Sequence, residues 1–144
     1  DVIEAPVRQE ILSIDDDDLD RLCRDIVAAR ADADKVIVAV HYHQWAPDWM
    51  RAPDWFTTLT DKALAAGADA VTGTGPPWAL PAILSGRTMA APGLGSIAFH
   101  TGRADRYDAL SLPVWRGLAV VLEDGRWTIH DIDVARPDQA ASDA

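Results

Sequence analysis

Histidine is the most versatile chemistry this chain offers, and two of its four histidines, His41 and His43, stand two residues apart at the end of an apolar run. In extended backbone, residues i and i+2 project to one face, so both imidazoles would meet the same ligand. Imidazole changes charge near neutral pH and serves as general acid, general base or metal ligand. A catalytic metal centre needs three or more converging His or carboxylate ligands with one position left open. Only Asp48 and Asp54 lie close enough in sequence to add to the pair, and both sit among Trp and Pro, where solvation or capping competes with ligation. His100 closes a second apolar stretch and is a further candidate, whereas His130 falls inside a late strand pair and reads as structural or surface. The lone Cys23 leaves no intrachain disulfide and no multi-cysteine zinc or iron–sulfur site.

The flanking segments predict how these side chains are positioned. Asp15-Asp16-Asp17-Asp18 offers an N-cap and negative charge for the positive end of a helix over about 16 to 31, and a calcium loop would need a Gly and a terminal Glu that this stretch lacks. Leu19, Leu22, Cys23, Ile26 and Val27 form that helix's apolar stripe. Lys35 to His41 is β-branched and continuous, the pattern of a strand buried on both faces. Pro47 and Pro53 bracket a loop, and Trp55, Phe56, Leu59, Ala63 and Ala66 predict a second helix ending at Gly67. A short strand over 68 to 72 then runs into Gly73-Thr74-Gly75-Pro76-Pro77, a turn at a strand end and so a natural site position. Ala79 to Leu84 and Gly93 to His100 are further expected strands, with Ser85-Gly86-Arg87 as a turn. Val114 to Leu122 and Trp127 to Val134 form a hairpin around Asp124-Gly125.

The 144 residues are 49% hydrophobic and 25% charged, enough to fold as one α/β domain or part of one. A formal charge of −10 argues against a nucleic-acid surface, and no apolar run is long enough to span a bilayer, so the expectation is a soluble, cytoplasmic protein. The start, Asp1-Val2-Ile3-Glu4-Ala5-Pro6, reads like the interior of a longer protein. Residues 1–136 are expected to be part of one domain, with 137–144 a polar tail. Six Trp residues are unusually many, and Trp45, Trp49 and Trp78 are candidates to line a pocket for an aromatic or apolar group or, equally, to pack beneath a Pro-rich loop. P-loop, G-x-S-x-G, H-E-x-x-H and dinucleotide motifs are all lacking.

Three segments taken in order resemble the capsule-synthesis CapA family of calcineurin-like metallophosphatases. Val36-Ile37-Val38-Ala39-Val40-His41-Tyr42-His43 resembles that family's strand ending in V-H-W-G, with His41 on the family's metal-ligand histidine. Gly67-Ala68-Asp69-Ala70-Val71-Thr72-Gly73 matches G-A-D-x-V-x-G, and Leu94-Gly95-Ser96-Ile97-Ala98-Phe99 resembles L-G-N-F-x-F with Ser96 in place of Asn. The resemblance spans roughly residues 11 to 134 and implies the C-terminal half of a four-layer αββα sandwich with mixed sheets. Where the family has G-H-H-P-H, this chain has Gly73-Thr74-Gly75-Pro76-Pro77, so the implied di-metal site is not intact.

That combination resembles the CapA-like proteins of ribosomal-peptide clusters, which epimerise a C-terminal residue, tryptophan in the lasso-peptide case, without cofactor or metal. The resemblance implies His41 as one acid–base group with His43 in reserve, and a second group, an Asp, on the missing half or on a second chain. Thr74 and the backbone at Gly75 are candidate donors for an enolate-like oxygen, Trp45, Trp49, Trp78 and His100 candidate substrate contacts, and the partner a precursor peptide. The alternative is a metal-dependent phosphoesterase or capsule and poly-γ-glutamate biosynthesis protein, with outside ligands joining His41 and His43 or His100. A second alternative is a non-enzymatic member that binds a ligand in the old cleft.

Overall fold

The computed structural model describes residues 13–44, 46 and 48–136. Helix α1 (Asp16–Asp32) starts where the acid run predicts, with the Asp15 carboxylate accepting from the backbone N–H groups of Asp17 and Asp18. Its stripe buries Leu19 and Ile26, while Val27 stays 59% exposed. Strand β1 (Ile37–His41) follows, then helix α2 (Asp54–Ala65), which buries Phe56, Leu59 and Ala63 and ends one residue before Ala66-Gly67.

Strands β2 (Ala70–Thr74), β3 (Ile83–Ser85) and β4 (Thr88–Ala91) join β1 in a mixed sheet of order β1-β2-β4-β3, parallel except for the β3–β4 hairpin. The short helix α3 (Ala104–Ala109) precedes the hairpin β5 (Arg116–Glu123) and β6 (Arg126–Asp133). Asp124 and Gly125, both with positive φ, form its two-residue turn.

Helices α1 and α2 cover one face of the β1–β2 pair, with Val36, Val38, Val40, Tyr42 and Val71 in the intervening core. The β5–β6 hairpin lies on the other face over β2 and β4, where Trp127 packs with Ala70, Met89 and Ala91 and its Nε1–H donates to the Arg87 carbonyl at 2.9 Å, leaving that face of β1 uncovered. This is a mixed α/β architecture, the layering of part of a metallophosphatase-like sandwich. No helix among the described residues is long and apolar enough to cross a membrane.

Four local expectations are corrected. β1 is not buried on both faces: it is an edge strand whose Ile37, Ala39 and His41 are exposed and whose Val38 and Val40 face the helices. A continuous apolar run does not distinguish an edge strand from a central one when one face is left uncovered. The turn after β2 starts at Gly75 rather than Gly73, because Gly73 and Thr74 still pair with Val40 and His41. Ala79 to Leu84 reduces to β3, with only an isolated bridge from Ala79 to Leu94, since Pro81 cannot donate to a ladder. Gly93 to His100 is irregular, because Gly95 turns into the left-handed region at φ 68° where an added Cβ would lie 2.7 Å from the Arg116 carbonyl oxygen. Sequence reading also missed β4, which sits inside the sheet.

Candidate functional site

The register of two parallel strands builds the site. β1 and β2 pair residue for residue from Ile37–Ala70 to His41–Thr74, so the last residue of each strand lies beside the other at the carboxyl end. Open α/β sheets place their ligands at that end. The pairing persists one step further, with the Tyr42 N–H donating to the Thr74 carbonyl at 2.9 Å. Gly75 then turns at φ 118°, so close to β1 that a Cβ would lie 1.9 Å from the Tyr42 oxygen; no other residue fits without displacing backbone.

Alternation along β1 puts Tyr42 on the helix side and both histidines on the opposite side. Tyr42 is buried against Trp55 and Phe56, and its hydroxyl donates to the Pro92 carbonyl at 2.7 Å. Burial pushes the phenol up to about 12, so it stays protonated and acts as a fixed donor. Sequence reading passed over this residue, although its place between two histidines in an alternating strand was the available signal.

His41 and His43 meet edge to face, ring centroids 4.8 Å apart, with Nε2 of one 3.0 Å from Nε2 of the other. The second nitrogen of His41, Nδ1, lies 3.0 Å from Thr74 Oγ1. His41, His43 and Thr74 are therefore one hydrogen-bonded set, and both rings are exposed. The i, i+2 spacing anticipated that the histidines share a face; the part played by Thr74 emerges only from strand register.

The other candidates are placed less closely. Trp78 is buried and stacks on Trp49 at 5.6 Å with planes 4° apart, its Nε1–H donating to the Trp49 carbonyl at 2.8 Å. Trp78 thus packs in the core with Leu80, Leu112 and Val114, whereas Trp49 is half-exposed and lines a cavity of about 330 Å³ with Met50, Leu110 and Leu112. His100 is exposed on the irregular segment, and no hydrogen bond ties it to the histidine pair. Trp45 and Pro47 lie outside the described residues. His130 is exposed on β6, near Thr128.

The donor set does not fit a metal centre by itself. Among the described residues no three His, Cys, Asp or Glu side chains converge. The loop that would carry imidazoles has Gly, Thr and Pro instead, and the two histidines direct their Nε2 atoms at each other. What the set can do is hold and move a proton.

At the opposite end of the same strands lies a group that sequence reading placed in a strand and in the G-A-D-x-V-x-G match but gave no role. Asp69 is buried, accepts from Arg30 Nη1 (2.6 Å), Lys35 Nζ (2.9 Å) and the Val36 backbone N–H (2.9 Å), and so pins α1 to the start of β1 and β2. Desolvation pushes its pKa up, but the Lys35 and Val36 hydrogen bonds and the charges of Arg30 and Lys35 outweigh it and hold the carboxyl below its ordinary value.

No curated protein matches the chain significantly. Residues 3–101, which include β1, both histidines, Asp69 and the Gly75 turn, match the family described as bacterial capsule synthesis protein PGA_cap. With more than two thirds of its length matched, the chain belongs to the bacterial capsule synthesis protein PGA_cap family.

Proposed function

We propose that this chain is part of a metal-independent acid–base enzyme on the CapA-like fold, a peptide epimerase that inverts the Cα of a C-terminal, tryptophan-like residue during lasso-peptide maturation in the cytoplasm. The observation that carries the reading is the His41–His43 pair at the carboxyl end of β1, beside a Gly-Thr-Gly-Pro-Pro loop with no metal-binding imidazole. A proton-transferring group survives where the family's ligand loop has lost its donors. Removing a Cα proton leaves an enolate-like anion, and oriented N–H and O–H donors at Thr74 and Gly75 would stabilise it. The half-exposed Trp49 ring supplies rigid apolar contact area for an aromatic substrate residue.

Inversion needs a second group on the opposite face of the Cα. The uncovered face of β1, where Ile37 is 55% exposed and Ala39 and His41 point the same way, supports docking there by the rest of an αββα sandwich, from the same protein or a second chain, that carries this group. On this reading the described residues belong to one domain that extends beyond them.

The test is solvent deuterium incorporation at the Cα of peptides ending in an aromatic residue, measured in D₂O with the complete protein. Incorporation that persists in a strong chelator is the expected result. Loss of turnover with chelator and recovery with Mn²⁺ or Zn²⁺ would move the assignment to the phosphoesterase chemistry of the metal-dependent alternative. Binding of peptide without exchange would leave a ligand-binding family member.

A further inference from the structure

We propose that residues 102–111 form a strap, the movable wall of the apolar cavity at Trp49 and Met50, and that Asp108 latches it. The strap closes on an aromatic ring; the ring rests on the substrate reading above, whereas the strap's movement does not. The cavity is lined by Asp48, Trp49, Met50, Leu110 and Leu112. Most of that lining is fixed. Trp49 stacks on the buried Trp78 and accepts its Nε1–H at the backbone carbonyl, and the Asp48 carboxylate accepts from the Met50 backbone N–H at 3.0 Å. Leu112 is buried with Leu80 and Val114. Leu110 differs: it is 52% exposed and follows a helix, α3, none of whose residues is buried.

Both ends of the segment are suited to turning. At Gly102 an added Cβ would meet nothing within 4 Å. Ser111, at φ 54°, takes the left-handed position that glycine usually fills after a helix. Its N–H donates to the Asp108 carbonyl at 2.9 Å, and the Leu112 N–H donates to the Tyr107 carbonyl at 3.0 Å. A residue with a Cβ is strained there, so this helix end is held closed against a local cost. Leu110 lies on the strap side of Ser111 and Leu112 on the core side, so turning at Ser111 moves one wall of the cavity against the others.

What holds the strap down is mainly polar. Asp108 Oδ1 accepts from Trp115 Nε1–H at 3.1 Å, and Arg136 donates to both carboxylate oxygens at 3.2 and 2.6 Å. The Arg136 guanidinium also lies 4.9 Å from the centre of the Trp115 ring. Trp115 and Arg136 flank the β5–β6 hairpin, where the Val134 N–H donates to the Trp115 carbonyl at 2.9 Å, so the latch plate is part of the sheet. Tyr107 adds one edge-to-face contact with Phe99 at 5.5 Å. A segment with no buried side chain, held by part-exposed polar bonds, has the make-up of a unit that opens locally while the core stays folded.

Amide hydrogen exchange of the complete protein tests the strap without reference to activity. Asp108→Asn and Arg136→Gln should each raise exchange over residues 104–112 by about fivefold, leaving the amides of β1, β2 and β4 as they were. Indole, as the probe for an aromatic ring, should slow exchange over 104–112. It should also shift the Met50 methyl signal in ¹³C-methyl methionine spectra, with the buried Met89 as reference. Unchanged exchange over 104–112 in both variants would overturn the latch, as would a rise spread equally over the three strands. A Met50 shift without slowed exchange would overturn the strap as the moving wall, and no Met50 shift would overturn the aromatic occupant. If indole slows the strap but no peptide Cα exchanges deuterium, the epimerase reading fails and the strap stands.

Discussion

The two ends of the β1–β2 strand pair carry ionisable groups treated in opposite ways. At the amino end, Asp69 is buried and its carboxylate is committed to two cationic side chains and a backbone N–H. At the carboxyl end, His41 and His43 are exposed and each other's partners, with a hydroxyl as third member. A carboxylate fixed by permanent donors cannot take up a proton near neutral pH, so that end can only be an anchor. A pair of exposed imidazoles in hydrogen-bond contact, by contrast, is able to take up and pass on a proton. The contrast separates a fixed anchor from a candidate site across the five residue pairs of one ladder.

The largest expected effect lies beneath the exposed end. Trp78→Ala removes a buried ring from a core of Leu80, Leu112 and Val114 and should cost about 3–5 kcal/mol. Denaturant titration measures it. A loss under 1 kcal/mol would mean that the loop after Gly75 holds its shape without this core, and that the carboxyl end is independent of its support.

At the amino end, Asp69→Ala should cost about 3 kcal/mol, because Val36 N–H is left without its acceptor while Arg30 and Lys35, both part-exposed, regain water. Acid titration gives the same information. Since the folded carboxyl lies below its ordinary value, its stabilisation is fully present above the unfolded value and is lost as pH falls from about 4 through the depressed one. Stability in Asp69→Ala should therefore vary less with pH below 4 than in the unsubstituted protein. An equal acid dependence in both would assign acid sensitivity to another carboxylate.

The sequence was most informative where an element's own pattern decides its structure. The acid run and the Leu19–Ile26 stripe place α1, the Phe56–Ala63 stripe places α2, and Asp124-Gly125 places the hairpin turn, all from local periodicity or turn chemistry. Thr88–Ala91 escaped detection because Thr-Met-Ala-Ala has little β-branched content and owes its strand state to β2 on one side and β3 on the other. Gly93 to His100 misled in the opposite sense, an apolar stretch whose Gly95 bends the chain around β5. For the site, two-residue spacing brought the histidines together on paper. Asp69 and Thr74 needed the fold, since each acts on a residue 33 positions away.

A smaller effect separates the two sides of β1 itself. Tyr42→Phe removes the hydroxyl that donates to the Pro92 carbonyl and should cost about 1 kcal/mol in denaturant titration. The ring stays packed on Trp55 and Phe56, so no cavity opens. A fall in Cα deuterium exchange in this variant beyond its loss of stability would show that the buried face positions the exposed one; unchanged exchange would show that the two faces of β1 act independently.

The smallest stability effect belongs to the exposed histidine pair. His43 is exposed, and an exposed hydrogen bond exchanged for water changes stability little, so His43→Gln should stay within about 0.5 kcal/mol of the unsubstituted protein. Glutamine keeps a donor and an acceptor near His41 but cannot take up a proton, so the substitution isolates proton exchange from packing. If this variant unfolds as readily as Asp69→Ala, the histidine pair is a structural clasp and the two strand ends are alike. Full stability with lost Cα exchange would make the carboxyl end the site and the amino end its anchor.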